Sequence, residues 1–418
     1  MSATFDIHRQ PSSGQSVRRP IILTFVGSYL PGFKAGGPIR SLANIVDHLG
    51  DEFDFRIVAA DRDLGDATAY SGVGVNRWNR VGKAQVFYRS PGAVGWRALV
   101  ADLQNTDYDL IYLNSFFSID GSLRPLFYRA RGKLRKKPLL LAPRGEFSQG
   151  ALALKAFRKN MFIGVARALN AYGDVTFQAS SEHEAADIQR AIGPANIDKG
   201  ARIHIASDLP PSRSEATPAP IERDTSRLKA VFLSRISPMK NLDGAISVLS
   251  NIDCNIQFDV YGTIQDTAYW ETCMKLISGL PENANVEYMG PVHPDNVQAT
   301  LSGYDFFFMP THGENYGHVI REALSAGLPA LISDQTPWRD LSAASAGADL
   351  PLAKPEAFAT WIESFSRLPP ADRQSMRDAA RRRGDDPVKA ERDLKANRAM
   401  FRAALGLTKA AARPESRE

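Results

Sequence analysis

The stretch from Tyr304 to Ile332 constrains the fold of this chain more than any other. Tyr304 to Met309 is an apolar run of the kind that forms a buried parallel strand. Pro310, Gly313 and Gly317 break it into a tight loop. Beyond Gly317 the period changes: Val319, Ile320, Ala323 and Leu324 fall at helical spacing, and Gly327-Leu328-Pro329 stops the helix before a second strand from Ala330 to Ile332. The expected unit is strand, loop, helix, strand. It places polar residues at the carboxyl end of a strand, where open α/β sheets bind ligands.

The polar residues suggest the chemistry. Glu314 lies in the loop and Glu322 a little over one turn inside the helix, so both carboxylates can face one cleft at different depths. Between them, the helix start at Tyr316-Gly317 offers free backbone N–H groups and the positive end of a dipole, which suits a phosphate. Two acceptors for sugar hydroxyls beside a phosphate describe a nucleotide-sugar site. On this fragment alone, an ordinary βα unit with two solvated glutamates describes it equally well.

A second motif narrows the choice. Leu228 to Leu233 reads as a strand, and Ser234-Arg235-Ile236-Ser237-Pro238-Met239-Lys240-Asn241-Leu242 follows. Arg235 and Lys240, five apart across a loop, can reach one diphosphate, the first as a bidentate fork and the second as a point charge. The ordered series Pro-Thr-x-x-Glu-Asn-Tyr-Gly-His-Val-Ile-x-Glu-Ala-Leu, with Arg235 and Lys240 upstream, resembles the signature of the large family of retaining GT-B glycosyltransferases of the family 4 type. That family includes sucrose and trehalose-phosphate synthases. The run Ser333 to Leu341 is similar to the branch found in bacterial surface-polysaccharide assembly.

The resemblance implies an α/β fold of the GT-B type, two Rossmann-like domains facing across a cleft. It implies catalytic roles for Glu314, Arg235 and Lys240, with Glu322 on the ribose and Asn315, Tyr316 and Gly317 against the donor. Gly262, after a strand at Gln257 to Tyr261, resembles the loop that packs near the base. Gly36 and Gly37 match the loop that lies against the donor diphosphate and the acceptor; a tight turn leading to a helix is the competing reading of Gly-Gly-Pro. Arg144 and Glu146, in Pro143-Arg144-Gly145-Glu146, resemble the acceptor-side loop, Arg144 for a phosphate and Glu146 for a sugar hydroxyl. Arg144 stands where many relatives have a histidine. Asn114, ending a strand from Asp109, is expected in a cleft loop. Ala206-Ser207-Asp208 departs from the usual Asn-Gly turn, so no role is assigned there.

A length of 418 residues suggests two domains. The expected organisation is a disordered leader at 1–18, a first domain at 19–210, a linker at 211–225, a second domain at 226–386, a terminal helix at 387–407 crossing back onto the first domain, and a disordered tail at 408–418. There are 51 Lys and Arg against 46 Asp and Glu, an excess too small to imply nucleic-acid binding. The two cysteines form no CxxC pair or disulfide framework, and no apolar run is long enough to span a membrane. A cytoplasmic protein is expected.

The loop after the first strand is not the GxGxxG fingerprint, which argues against hydride transfer. Asp61-Arg62-Asp63 is too common a triplet to imply a metal, and no His/Cys/Asp set has ligand spacing; neither metal nor cofactor is expected. The basic run from Tyr128 to Lys137 reads as a solvated helix end, or as a patch facing an anionic membrane or a polyprenyl-diphosphate acceptor. The helix from Leu152 to Leu169 lies on a membrane interface or covers the sheet. The expected activity is transfer of a sugar from a nucleotide-diphosphate sugar to a saccharide or lipid-linked saccharide acceptor in bacterial polysaccharide assembly. A GT-B nucleotide-sugar epimerase and a non-catalytic binding scaffold are the alternatives.

Overall fold

Two twisted sheets, each with helices on both faces, carry the chain. The computed structural model describes residues 18–148, 152, 156–168, 172–212 and 227–407. All but the last residue of the expected leader, most of the expected linker and the expected tail lie outside these residues, as do parts of the 152–169 helix.

The first sheet comprises β1 (Ile21–Phe25), β2 (Asp54–Ala60), β3 (Trp78–Val81), β4 (Ala84–Arg89), β5 (Leu110–Asn114), β6 (Leu139–Ala142), β7 (Val175–Ala179) and β8 (Arg202–Ile205). Its order is β3-β4-β2-β1-β5-β6-β7-β8, and only the β3–β4 pair is antiparallel. The second sheet comprises β9 (Leu228–Leu233), β10 (Ile256–Tyr261), β11 (Ala284–Gly290), β12 (Phe306–Met309), β13 (Ala330–Ser333) and β14 (Gly347–Leu350), in the order β11-β10-β9-β12-β13-β14, all parallel. Both are Rossmann-like. Central strands such as β1 and β12 are buried at every position because both faces are covered.

Strand order determines where the loops converge. β1 lies between β2 and β5, and β9 lies between β10 and β12. The chain reverses its direction of winding at these strands, so the loops leaving the carboxyl ends of β1 and β5, and of β9 and β12, splay apart into a crevice. The loop after β1 leads to helix Gly37–Leu49, which buries Ile39, Leu42, Ile45, Val46 and Leu49 and begins with Pro38 in its first turn. The loop after β12 leads to helix His318–Ser325, which buries Ile320, Ala323 and Leu324.

The last helix, Pro387–Ala404, joins the two halves. Asp386 caps it, its carboxylate accepting from the N–H groups of Val388 and Lys389 at 3.0 Å each. Phe401 is fully buried among Phe53, Phe55 and Tyr112 of the first domain, with ring centroids 5.5, 5.6 and 5.5 Å away. Arg398 Nε donates to Glu52 at 2.6 Å, and Asn397 Nδ2 donates to the Ser207 carbonyl at 2.7 Å. The C-terminal segment thus belongs to the core of the domain that begins the chain.

Several elements have faint sequence signals. β3 is a four-residue strand turning through Gly82 at φ 55°. Helix Pro370–Gly384 docks through Ala379, Ala380 and Gly384 and is otherwise rich in arginine, so it has little apolar stripe to detect. A Cβ at Gly384 would stand 2.4 Å from the Ser325 amide nitrogen, so contact between these helices requires glycine.

Phe401→Ala should lower the free energy of unfolding by about 3–5 kcal/mol in a denaturant titration, because it opens a cavity among three aromatic rings. A loss under about 1 kcal/mol would mean that the terminal helix does not anchor the first domain.

Candidate active site

The two loops of the second domain are tied together before any charged side chain is considered. Asn241, left-handed at φ 56°, donates through Nδ2 to the Pro310 carbonyl at 2.7 Å. The Met239 carbonyl accepts from Thr311 Oγ1 and from the His312 amide, both at 2.9 Å. The loop after β9 and the loop after β12 therefore move as one body. On this body Lys240 Nζ forms an ion pair with Glu314, with both side chains nearly buried at 11% and 14% exposure. Lys240 is screened from water, so its charge acts at short range with little attenuation.

These groups line one cavity of about 1080 Å³ between the two domains. Arg235, Gly262, Asn315, Tyr316, Gly317 and Glu322 line it from the second domain, and Gly36, Gly37, Arg144 and Glu146 from the first. Asn114 is not part of its wall.

Glycine is required at several of these points. Gly262 has φ 143°, and a Cβ there would collide with the Ser234 carbonyl at 1.8 Å, so the end of β10 can lie beside Ser234-Arg235 only without a side chain. Gly36 has φ 72° and lies where a Cβ would be 3.9 Å from Arg235 Nε. Gly317 caps helix His318–Ser325 in the left-handed conformation, φ 76°, with no side chain capping the helix N-terminus. Helical residues begin at His318, where the change of period after Gly317 places them, and the Tyr316 carbonyl just before the cap is held by Trp338 Nε1 at 2.7 Å.

Of the acceptor-side residues, Arg144 and Glu146 lie on the cavity wall and Asn114 does not. Arg144 is left-handed, φ 57°, and its guanidinium, at the wall of the cavity, is held by partners within the first domain. It donates to Asp208 at 2.6 Å and to Tyr112 Oη and Asn114 Oδ1 at 2.8 Å each. Its strongest donors are thus committed within the protein rather than to an acceptor phosphate. Asn114, 3% exposed, serves as one of its partners and is not a cleft residue. The Glu146 carboxylate turns onto the loop after β5, accepting from Ser115 Oγ at 2.6 Å, from the Phe117 amide at 3.0 Å and from the Phe116 amide. Asp63 of the Asp-x-Asp triplet braces the loop after β1, accepting from the amides of Phe33 at 2.7 Å and Lys34 at 3.0 Å.

Asp208, to which the sequence assigns no role, meets His318 of the second domain here. Burial by itself would raise the Asp208 carboxyl, but Arg144, His318 and Ser41 outweigh it and hold the group well below the usual carboxylate range. Asp208 Oδ2 lies 2.6 Å from Ser41 Oγ, which lies 2.9 Å from His318 Nε2. A carboxylate only accepts, so the Ser41 hydroxyl donates to Asp208 and accepts from His318 Nε2–H. His318 comes from the second domain, and Ser41 and Asp208 from the first, so this network closes the floor of the cleft. Nearby, Ser180 Oγ donates to Asn315 Oδ1 at 2.8 Å, a second bond between the domains. Glu184, whose carboxyl is pushed up by burial, braces that wall by accepting from the Gly145 amide at 2.5 Å and the Ser180 amide at 2.7 Å.

Because the folded-state pKa of Asp208 is depressed, its contribution is fully present above the unfolded value near 4 and is lost only as pH falls below it. Asp208→Asn should therefore be less stable than the wild type by about 3 kcal/mol, since Arg144 loses its buried partner. In thermal unfolding the gap should hold constant from pH 7 to about 5 and close only below about 4. Closure between pH 7 and 6 would contradict this ionisation state.

Comparison with known proteins fits this geometry. Residues 214–383, spanning most of the second domain, match the family of glycosyl transferases group 1. A segment of 102 residues is 30% identical to the sulfoquinovosyl transferase of Arabidopsis thaliana, covering 24% of this chain and only 18% of that protein. The structure is similar to sucrose-phosphate synthase from Thermosynechococcus elongatus, with a TM-score of 0.69, 14% identity and coverage of 94% of this chain and 100% of that one. It is also similar to HepE of Anabaena in complex with UDP-glucose, with a TM-score of 0.59, 16% identity and coverage of 93% and 100%. The chain has the GT-B fold, and its second half carries a glycosyl transferases group 1 domain, which supports a glycosyltransferase.

Proposed function

We propose that the chain is a retaining glycosyltransferase that moves a hexose from a nucleotide-diphosphate sugar to a saccharide or lipid-linked saccharide. The observation that carries this reading is the Lys240–Glu314 pair, which lies in the interdomain cleft with Arg235 on the same wall. Lys240 and Arg235 neutralise charge that develops on the leaving diphosphate, and the uncapped start of helix His318–Ser325 adds its backbone N–H groups. Glu314 is displaced from Lys240 by the donor and orients the sugar. Glu322 takes the ribose hydroxyls. The bond forms on the face from which the diphosphate leaves, without a covalent protein intermediate and without a metal ion. Closure of the domains excludes water and favours transfer over hydrolysis.

The solved relative HepE binds UDP-glucose, which makes a uridine donor the first to try. A place in bacterial polysaccharide assembly, at the inner face of the plasma membrane, is part of the same proposal. Among the described residues no helix is long and apolar enough to cross a membrane. The 119–130 segment does expose Ile119 and Phe127, with Arg131 stacked 4.7 Å over the Phe127 ring, a composition suited to an anionic interface.

A labelled-donor assay with saccharide and lipid-linked acceptors tests the activity, and incubation of donor alone separates transfer from epimerisation. Glu314→Gln should lower turnover by roughly a hundredfold when assayed well below the melting temperature of the variant, so that the loss is not one of folding. Unchanged turnover would contradict its role. In calorimetry, Lys240→Ala should weaken nucleoside diphosphate binding by at least about tenfold, since a nearly buried charge is removed; unaltered affinity would rule out a phosphate role.

A further inference from the structure

Glu322 has two oxygens in different situations. Oε1 forms an ion pair with Nη1 of Arg40, which reaches across the cleft from the first domain. Oε2 is buried and has no hydrogen-bond partner among the described residues. An enclosed carboxylate oxygen without a donor is an unfavourable arrangement unless a ligand supplies one.

The backbone around Arg40 fixes its direction. It lies in the first turn of helix Gly37–Leu49, just after Gly36 and Gly37. A Cβ on Gly37 would stand 3.6 Å from His318 Cδ2, so the first domain comes close to the start of helix His318–Ser325 at this point. The next residue, Ser41, bonds His318 Nε2 at 2.9 Å. Arg40 therefore meets Glu322 only when the domains adopt the arrangement that Ser41, Asp208 and His318 define.

We propose that Arg40 is a positioning residue for the donor. By holding Oε1 it aims Oε2 at a ribose hydroxyl, and by coming from the opposite domain it makes ribose recognition depend on closure of the cleft. This rests on the nucleotide-sugar reading above and adds to it a specificity device outside the glycosyl transferases group 1 domain. With Arg40 in place, a nucleotide lacking the hydroxyl leaves Oε2 buried and unsatisfied, so discrimination is strong. Without Arg40 the carboxylate turns to water, and the missing hydroxyl costs little. A pair that merely plugged the empty site would behave oppositely, because its removal would tighten binding.

The test is calorimetry on the full chain with UDP, GDP and ADP, followed by the 2′-deoxy and 3′-deoxy forms of whichever binds tightest. Wild type should prefer the ribonucleotide over at least one deoxy form by roughly tenfold or more. Arg40→Met should bind the ribonucleotide about tenfold more weakly, with the preference falling to about threefold or less, and Arg40→Lys should restore part of it. An undiminished preference in Arg40→Met, at any absolute affinity, would overturn the role of Arg40, as would tighter binding of the ribonucleotide. Failure of wild type to bind any of the three diphosphates would instead remove the nucleotide-sugar reading, and the inference with it.

Discussion

The site depends on an ammonium group and a carboxylate, Lys240 and Glu314, held together where two loops of one sheet meet. Each group is nearly buried, and neither would be stable there alone. What makes the pair possible is the stitching beneath it: Asn241 to Pro310, and Thr311 and His312 to Met239. These backbone contacts require β9 and β12 to be neighbours, and the strand order β10-β9-β12 makes them so. Topology, loop register and charge pairing form a single chain of cause.

The first domain contributes differently. Arg144 and Glu146 are held by partners within that domain, and the first domain meets the second through a polar floor of Ser41, Asp208 and His318. A buried ion pair such as Arg144–Asp208 adds little net stability against an apolar alternative, but it specifies one arrangement of the chain. Here that arrangement presents Ser41 Oγ to a histidine of the other domain. Hydrogen-bond geometry therefore contributes to the relative placement of the domains.

Much of this was legible in the sequence. Strong apolar runs marked β1, β9 and β12, and the spacing of Arg235, Lys240, Glu314 and Glu322 pointed to one ligand. The structure places those four on one cavity. What could not be read were side-chain directions. Nothing in Pro-Arg-Gly-Glu announces that Arg144 adopts a left-handed backbone and folds its guanidinium onto Tyr112 and Asn114. Asp208 carried no signal beyond its place after a strand, since its importance comes from Arg144, 64 positions away, and His318 in another domain. Arg40 was hidden for the same reason: its partner lies across the cleft. Helix Pro370–Gly384 escaped because it packs through alanine and glycine.

The most direct test is a crystal structure with a bound nucleoside diphosphate. The distal phosphate should lie within hydrogen-bonding distance of Lys240 Nζ and Arg235, with Glu314 released from Lys240 and the start of helix His318–Ser325 directed at the phosphates. A diphosphate bound elsewhere, with the Lys240–Glu314 pair intact, would contradict the account.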